Sequence, residues 1–318
     1  MRRILVPTDF SPTAEKAFRY ALDLALNTQA TIILYHIYHP VDGPFIDVKQ
    51  TGKQYNIQAE TNLLKRLQRL KKKITKETDT VTVSTLIGRP PLIDNILGFA
   101  ENNHIDLVVM GTRGTSELKK IMIGSTAAKV AEEADVPVLL VPEKFEPGEH
   151  KQIVFASDYH KSDPEALSLA AELLKPENCT ITVLHLFSAY ATETERKSEK
   201  ENFDKYTSQL QQQFDQYTLR FHLLETTSFS ETIKNLDKKI PYDLLVMVRR
   251  KKTFFQKLFG DSFTQMLTFL AKKPMLIIPG EENISNKVKT GNEPKSTAIK
   301  NHLLDKLTIK KIKLKAKD

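Results

Sequence analysis

LVVMGTRGTSELKKIMIGSTAAKV, residues 107–130, is the stretch that decides the fold. Leu107, Val108, Val109 and Met110 form an unbroken apolar run, the pattern of a strand buried on both faces. Gly111 and Gly114 follow, and nine residues later come Gly124 and Ser125. Ala127, Ala128, Val130, Ala131 and Ala134 then fall on a helical period. A strand, a glycine loop and a helix start, in that order, make a cradle for phosphate. Glycine admits positive φ and close backbone approach. A helix opening at Ser125 adds N–H groups, a hydroxyl and the positive end of its dipole. A Gly-rich turn with Ser125 as an ordinary N-cap is the alternative these residues leave open.

Upstream, the same strand-then-helix rhythm runs from the first residues. ILVPTD (4–9) reads as a buried strand. Ser11 as N-cap and Pro12 at the first helical position open a helix with Ala14, Ala17, Phe18, Ala21, Leu22 and Ala25 on one face. ATIILYHIY (30–38) is a second strand. A polar stretch with Gly43, Pro44 and Gly52 reads as irregular, and Leu63, Leu67, Leu70 and Ile74 mark a second helix. Val81, Val83 and Thr85 alternate as a third strand over 81–87. Pro90 and Pro91 introduce a helix through Ile96 and Ala100. VPVLLV (136–141) closes the half as a fifth strand. Strands alternating with helices predict an α/β fold with a parallel sheet covered on both faces.

The pattern then repeats. IVFASD (153–158) matches ILVPTD, TITVLHLF (180–187) matches TIILYHIY (31–38), YDLLVMV (242–248) matches IDLVVMG (105–111), and PMLIIP (274–279) matches PVLLVP (137–142). A repeat of about half the chain means duplication of a whole domain and not a solenoid. The expected organisation is a first domain over 1–143, a linker EKFEPGEH (143–150), a second domain over 151–280, and a tail over 281–318. The tail is rich in Lys, Asn, Ser and Thr and is expected to be disordered. Most of the net charge of +8 lies there, so the basic balance does not make the folded body a nucleic-acid binder.

Charged residues are 27% and apolar ones 40%, which suits a soluble globular chain. The single cysteine, Cys179, excludes an internal disulfide and reads as packing. No run approaches the roughly 18 apolar residues of a membrane span. A cytoplasmic protein is expected. His36 and His185 occupy matching strand positions and read as core histidines. Asp106 and Asp243 repeat each other before strand four and read as structural caps. No P-loop, no G-x-G-x-x-G after the first strand and no G-x-S-x-G elbow occurs, and no catalytic set is assigned.

ILVPTDFS near the start together with G-x2-G-x9-G-S near the end of one domain resembles the universal stress protein family, in two tandem copies over nearly all of the first 280 residues. The resemblance implies a doubly wound five-stranded sheet of order 3-2-1-4-5 in each domain, and pairing through the fifth strands, here within one chain. It implies ATP as cofactor, with or without Mg²⁺. Pro7 and Thr8 would line the base side, with Asp9 accepting from a ribose hydroxyl or adenine amine. The backbone at Ile37 would touch adenine, with Met110 nearby. Gly111, Thr112, Arg113 and Gly114 would wrap the phosphates, and Gly124, Ser125 and Thr126 would receive them. Arg113 and Lys119 or Lys120 would add positive charge. For Asp9 the residues equally allow an N-cap or Asx-turn.

The second copy departs from this pattern. Val248 and Lys251 replace the first two glycines, and only Gly260 and Ser262, in FGDS, match the last Gly-Ser. A β-branched Val248 resists positive φ and blocks close approach, and Asp261 puts negative charge where phosphate would lie. Asp158 would cap or pack, the basic run 249–252 reads as a solvated turn with an anion site as the alternative, and Phe254, Phe255, Leu258 and Phe259 read as filling of the cleft or as an interface. The expectation is nucleotide in the first domain only. The implied partners are the nucleotide, an unidentified protein and a further association of two chains, with neither nucleic acid nor membrane. A slow ATPase, and a nucleotide-free interaction module using the basic tail, are the alternative functions.

Overall fold

The computed structural model describes residues 1–40, 49–76, 80–112, 124–145, 151–175, 179–250 and 273–280. Arg113, Gly114, Lys119, Lys120, residues 251–262 with the FGDS stretch, most of the linker and the basic tail lie outside the described residues. The first half runs β1 (Arg3–Pro7), α1 (Pro12–Thr28), β2 (Thr31–Ile37), α2 (Lys49–Ile74), β3 (Val83–Gly88), α3 (Leu92–Asn102), β4 (Leu107–Gly111), α4 (Ser125–Glu133) and β5 (Val138–Val141). The second runs β6 (Gln152–Ala156), α5 (Asp163–Leu174), β7 (Thr180–Ser188), α6 (Glu193–Gln213), β8 (Thr218–Thr226), α7 (Phe229–Lys234), α8 (Leu236–Lys239), β9 (Leu244–Arg249) and β10 (Met275–Pro279).

All strands join one sheet of order β3-β2-β1-β4-β5-β10-β9-β6-β7-β8. Each half is parallel inside and has the 3-2-1-4-5 order. The halves meet where β5 and β10 pair antiparallel, Leu139 opposite Leu276 and Val138 opposite Ile277. Strand alternation sends Ile4 and Val6 to one face with Phe18, Leu34 and Leu67, and Leu5 to the other with Ile96, Val130 and Leu140. Each face carries one continuous core drawn from both halves.

Local chemistry explains the element starts. Ser11 accepts the Ala14 N–H at 3.2 Å and Pro12 opens α1. Asp106 accepts the N–H groups of Arg2 at 2.6 Å and Arg3 at 2.8 Å, and Asp243 accepts those of Lys151 and Gln152 at 3.0 Å each. The same carboxylate staple thus ties strand four to the start of strand one in both halves. Cys179 is buried.

One reading changes. α2 begins at Lys49, inside the stretch read as irregular, and passes through Gly52. An interior glycine costs a helix about 1 kcal/mol. Contacts from strand ends anchor the extension: Tyr38 donates to Asn56 at 2.7 Å, and Arg89 pairs with Glu60. β8, which no repeated segment marks, forms the outer strand of the second half. Among the described residues no helix is long and apolar enough to cross a membrane.

Candidate functional site

In each half strands one and four are neighbours at the point where strand order reverses, the place where doubly wound sheets bind ligands. In the first half this point opens as a cavity of about 340 Å³ at the carboxyl ends of β1, β2 and β4. Pro7, Thr8, Asp9, Ile37, Met110, Gly111, Gly124, Ser125 and Thr126 all line it. Thr112 does not; it is buried beside the cavity, where its N–H bonds Val141 at 2.9 Å and its carbonyl accepts the Gly124 N–H at 2.6 Å. That last bond closes the neck of the loop between Thr112 and Gly124. Tyr35, His36, His39, Leu92 and Ile96 also line the cavity and were not foreseen. Leu92 and Ile96 are spaced i, i+4 on α3, and that spacing was the available signal.

The two ends of the cavity differ in chemistry. Tyr35, Ile37, Leu92 and Ile96 make an apolar wall, and Tyr35 stacks on Phe99 behind it at 4.8 Å. At the other end α4 begins. Its N-cap is Gly124, which brings no side chain to the first-turn N–H groups. Those groups carry the positive end of the helix dipole and suit an anion. Between the ends sits Asp9. Its Oδ1 accepts the Ser11 N–H at 3.0 Å, so the Asx-turn is formed while the carboxylate still lines the cavity.

Gly111 is required for close approach, to the backbone of α1, and not for positive φ. Its φ lies outside the positive range, but a Cβ there would stand 2.7 Å from the Thr13 carbonyl carbon and 3.0 Å from the Ala14 nitrogen. The glycine makes room for the backbone of α1. Positive φ was therefore the wrong objection to Val248, which sits buried in β9.

His36 bonds the Thr8 carbonyl through Nδ1 at 2.7 Å and packs against Phe10, which is held at φ 63. A carbonyl only accepts, so Nδ1 carries the proton. His185 repeats the bond to Ser157 at 2.8 Å and stacks on Tyr159, itself at φ 58. Burial pushes the His36 imidazole below its ordinary value of 6.5, against the upward pull of the Thr8 bond. The unfolded chain therefore takes up a proton that the folded one resists. Stability is full above about pH 6.5 and falls as pH drops below it. His185 is shifted the same way. We expect His36→Gln to reduce, and not abolish, the fall in Tm between about pH 7 and 5, measured by thermal melts.

At the equivalent place in the second half an arginine is drawn inward. Arg250, only 5% exposed, pairs with Asp158 and Asp163, and donates to the Ser162 hydroxyl at 3.3 Å. Asp163 is fully buried, and its other oxygen accepts from Ser157 at 2.6 Å and Tyr206 at 2.9 Å. Arg249 is also drawn inward, reaching the Ala134 carbonyl at 2.6 Å. This corrects the reading of the 249–252 run as solvated: its two described arginines are bonded, because buried acceptors distant in sequence meet them. Among the described residues no cluster of three metal-ligating side chains occurs.

The model of the universal stress protein family matches residues 1–142 and again 149–279. The universal stress protein MJ0531 of Methanocaldococcus jannaschii is 32% identical over 145 residues, covering 44% of this chain and 81% of that protein. A Thermus aquaticus universal stress protein is 31% identical over 142 residues, covering 44% and 98%. A universal stress protein structure from Archaeoglobus fulgidus shares the fold at TM-score 0.58 and 18% identity, covering 88% of this chain and 97% of its own. With the family matched once in each half of the ten-stranded sheet, the chain belongs to the universal stress protein family as a tandem two-domain member.

Proposed function

We propose that the chain is a stress-response regulatory protein that holds one adenine nucleotide, ATP, in its first domain and none in its second. The observation that carries the reading is the two-ended cavity. Its apolar wall of Tyr35, Ile37, Leu92 and Ile96 suits a base, Asp9 suits a ribose hydroxyl or base amine, and the uncapped start of α4 suits phosphates. Gly111, Arg113 and Gly114 would complete the phosphate loop. The equivalent place in the second domain is taken by the Arg250 guanidinium, which uses up Asp158, the counterpart of Asp9. The β5–β10 seam acts as the pairing of two domains within one chain. A protein partner would read the nucleotide-bound state.

Titration calorimetry of the full chain with ATP tests this. The expected result is a single site per chain, lost in Gly114→Lys. Two sites per chain would overturn the asymmetry. No heat would overturn the nucleotide reading itself.

A further inference from the structure

α4 has an electrostatic deficit at its far end. The carbonyl end of a helix carries partial negative charge and is steadied by nearby cations. The last turn of α4 supplies no basic residue, and Glu132, Glu133 and Asp135 stand there instead. Lys129, one turn back, is engaged by Glu133 at 2.8 Å and Glu132 at 3.5 Å. The compensating cation comes from the other half of the molecule. Arg249, the last residue of β9, donates from Nη2 to the carbonyl of Ala134, the C-cap of α4, at 2.6 Å. The three acids are near enough to raise the Arg249 pKa against the larger lowering by burial.

The main chain at Arg249 is itself fixed. Its carbonyl accepts the Gly280 N–H at 2.9 Å, and the next residue is the arginine that pairs with Asp158 and Asp163. The other end of α4 is the cavity wall at Ser125, Thr126 and Ala127. A helix of nine residues is a rod about 14 Å long, so a shift at one end appears at the other.

We infer that Arg249 is a positioning residue of the nucleotide site, holding α4 from the second domain so that its first-turn N–H groups meet the phosphates. The inference rests on the cavity being an ATP site. It makes the second domain a structural support for affinity in the first. By linkage, ATP in the first domain steadies the end of β9 in return.

The test is titration of the full chain with ATP and, separately, with adenosine, which lacks the groups that reach α4. Arg249→Met should weaken ATP by about fivefold or more and leave adenosine unchanged. Arg249→Lys should recover part of the loss. A purely structural contribution would move both ligands together. Equal ATP affinity in wild type and Arg249→Met, or equal losses for ATP and adenosine, would overturn the inference and leave the nucleotide reading standing. Absence of ATP binding by wild type would overturn both. If Arg249→Met does not fold, Arg249→Gln decides: it removes the charge and shortens the reach, and an ATP affinity equal to wild type would overturn the inference.

Discussion

Arg250→Met should lower the stability of the second domain by about 3–5 kcal/mol, read as a fall in the urea midpoint. The cause is the charge left behind. Asp163 is fully buried and Asp158 is 16% exposed, and both face the guanidinium. Without it, Ser157 and Tyr206 still serve one oxygen of Asp163, but the Oδ1 that now pairs with Arg250 loses that donor. Two carboxylates would then stand near each other in a poorly solvated place, where each raises the cost of ionising the other. Removing all three charges is a different experiment. Arg250→Met combined with Asp158→Asn and Asp163→Asn should recover much of the loss, because a buried ion cluster is weak as a net stabiliser and costly only when broken. An unchanged midpoint in the single variant would mean that the guanidinium does not neutralise the two carboxylates.

Gly111→Ala should cost about 1–3 kcal/mol and displace the start of α1. The added methyl meets backbone atoms of Thr13 and Ala14, which have no rotamer with which to yield. The first turn of α1 must move, and with it the turn made by Asp9 and Ser11. We expect a lowered Tm and ATP binding weakened by about tenfold or more, one such factor for each 1.4 kcal/mol, both checked on the same protein preparation. Full stability in Gly111→Ala would show that α1 does not press on the strand end. The second half shows how a larger residue is accommodated. Ser11 caps α1 two residues after Asp9, whereas Ser162 precedes α5 four residues after Asp158. The later helix start goes with a buried Val248 at the position equivalent to Gly111.

What could be read from the chain follows the range of the forces involved. Buried strands such as 107–110 announce themselves, because burial on both faces requires an unbroken apolar run. The repetition of Asp106 and Asp243 marked them as structural, but their bonds run to the start of the neighbouring strand, far away in sequence, and not to a local cap or turn. The cavity residues near the ends of β1, β2 and β4 were named by the family resemblance that ILVPTDFS and the glycine spacing carry together, not by spacing alone. Arg249 and Arg250 were not. A basic dipeptide after a strand looks solvated until carboxylates at 158 and 163, and a helix end at 134, are folded against it. The N-terminal half of α2 was hidden for a similar reason: Gly52 argues for a loop, and the anchors at Tyr38 and Arg89 come from other elements.

The antiparallel meeting of β5 with β10 has one more consequence. Were the same seam formed by two separate, identical polypeptides, every substitution would appear twice, and an arginine drawn inward in one would be drawn inward in its twin. Joining the halves through a covalent link removes that obligation. It also makes their encounter unimolecular, so dilution does not part them. The two halves are then free to differ at the strand ends, a glycine at 111 in one and a buried valine at 248 in the other.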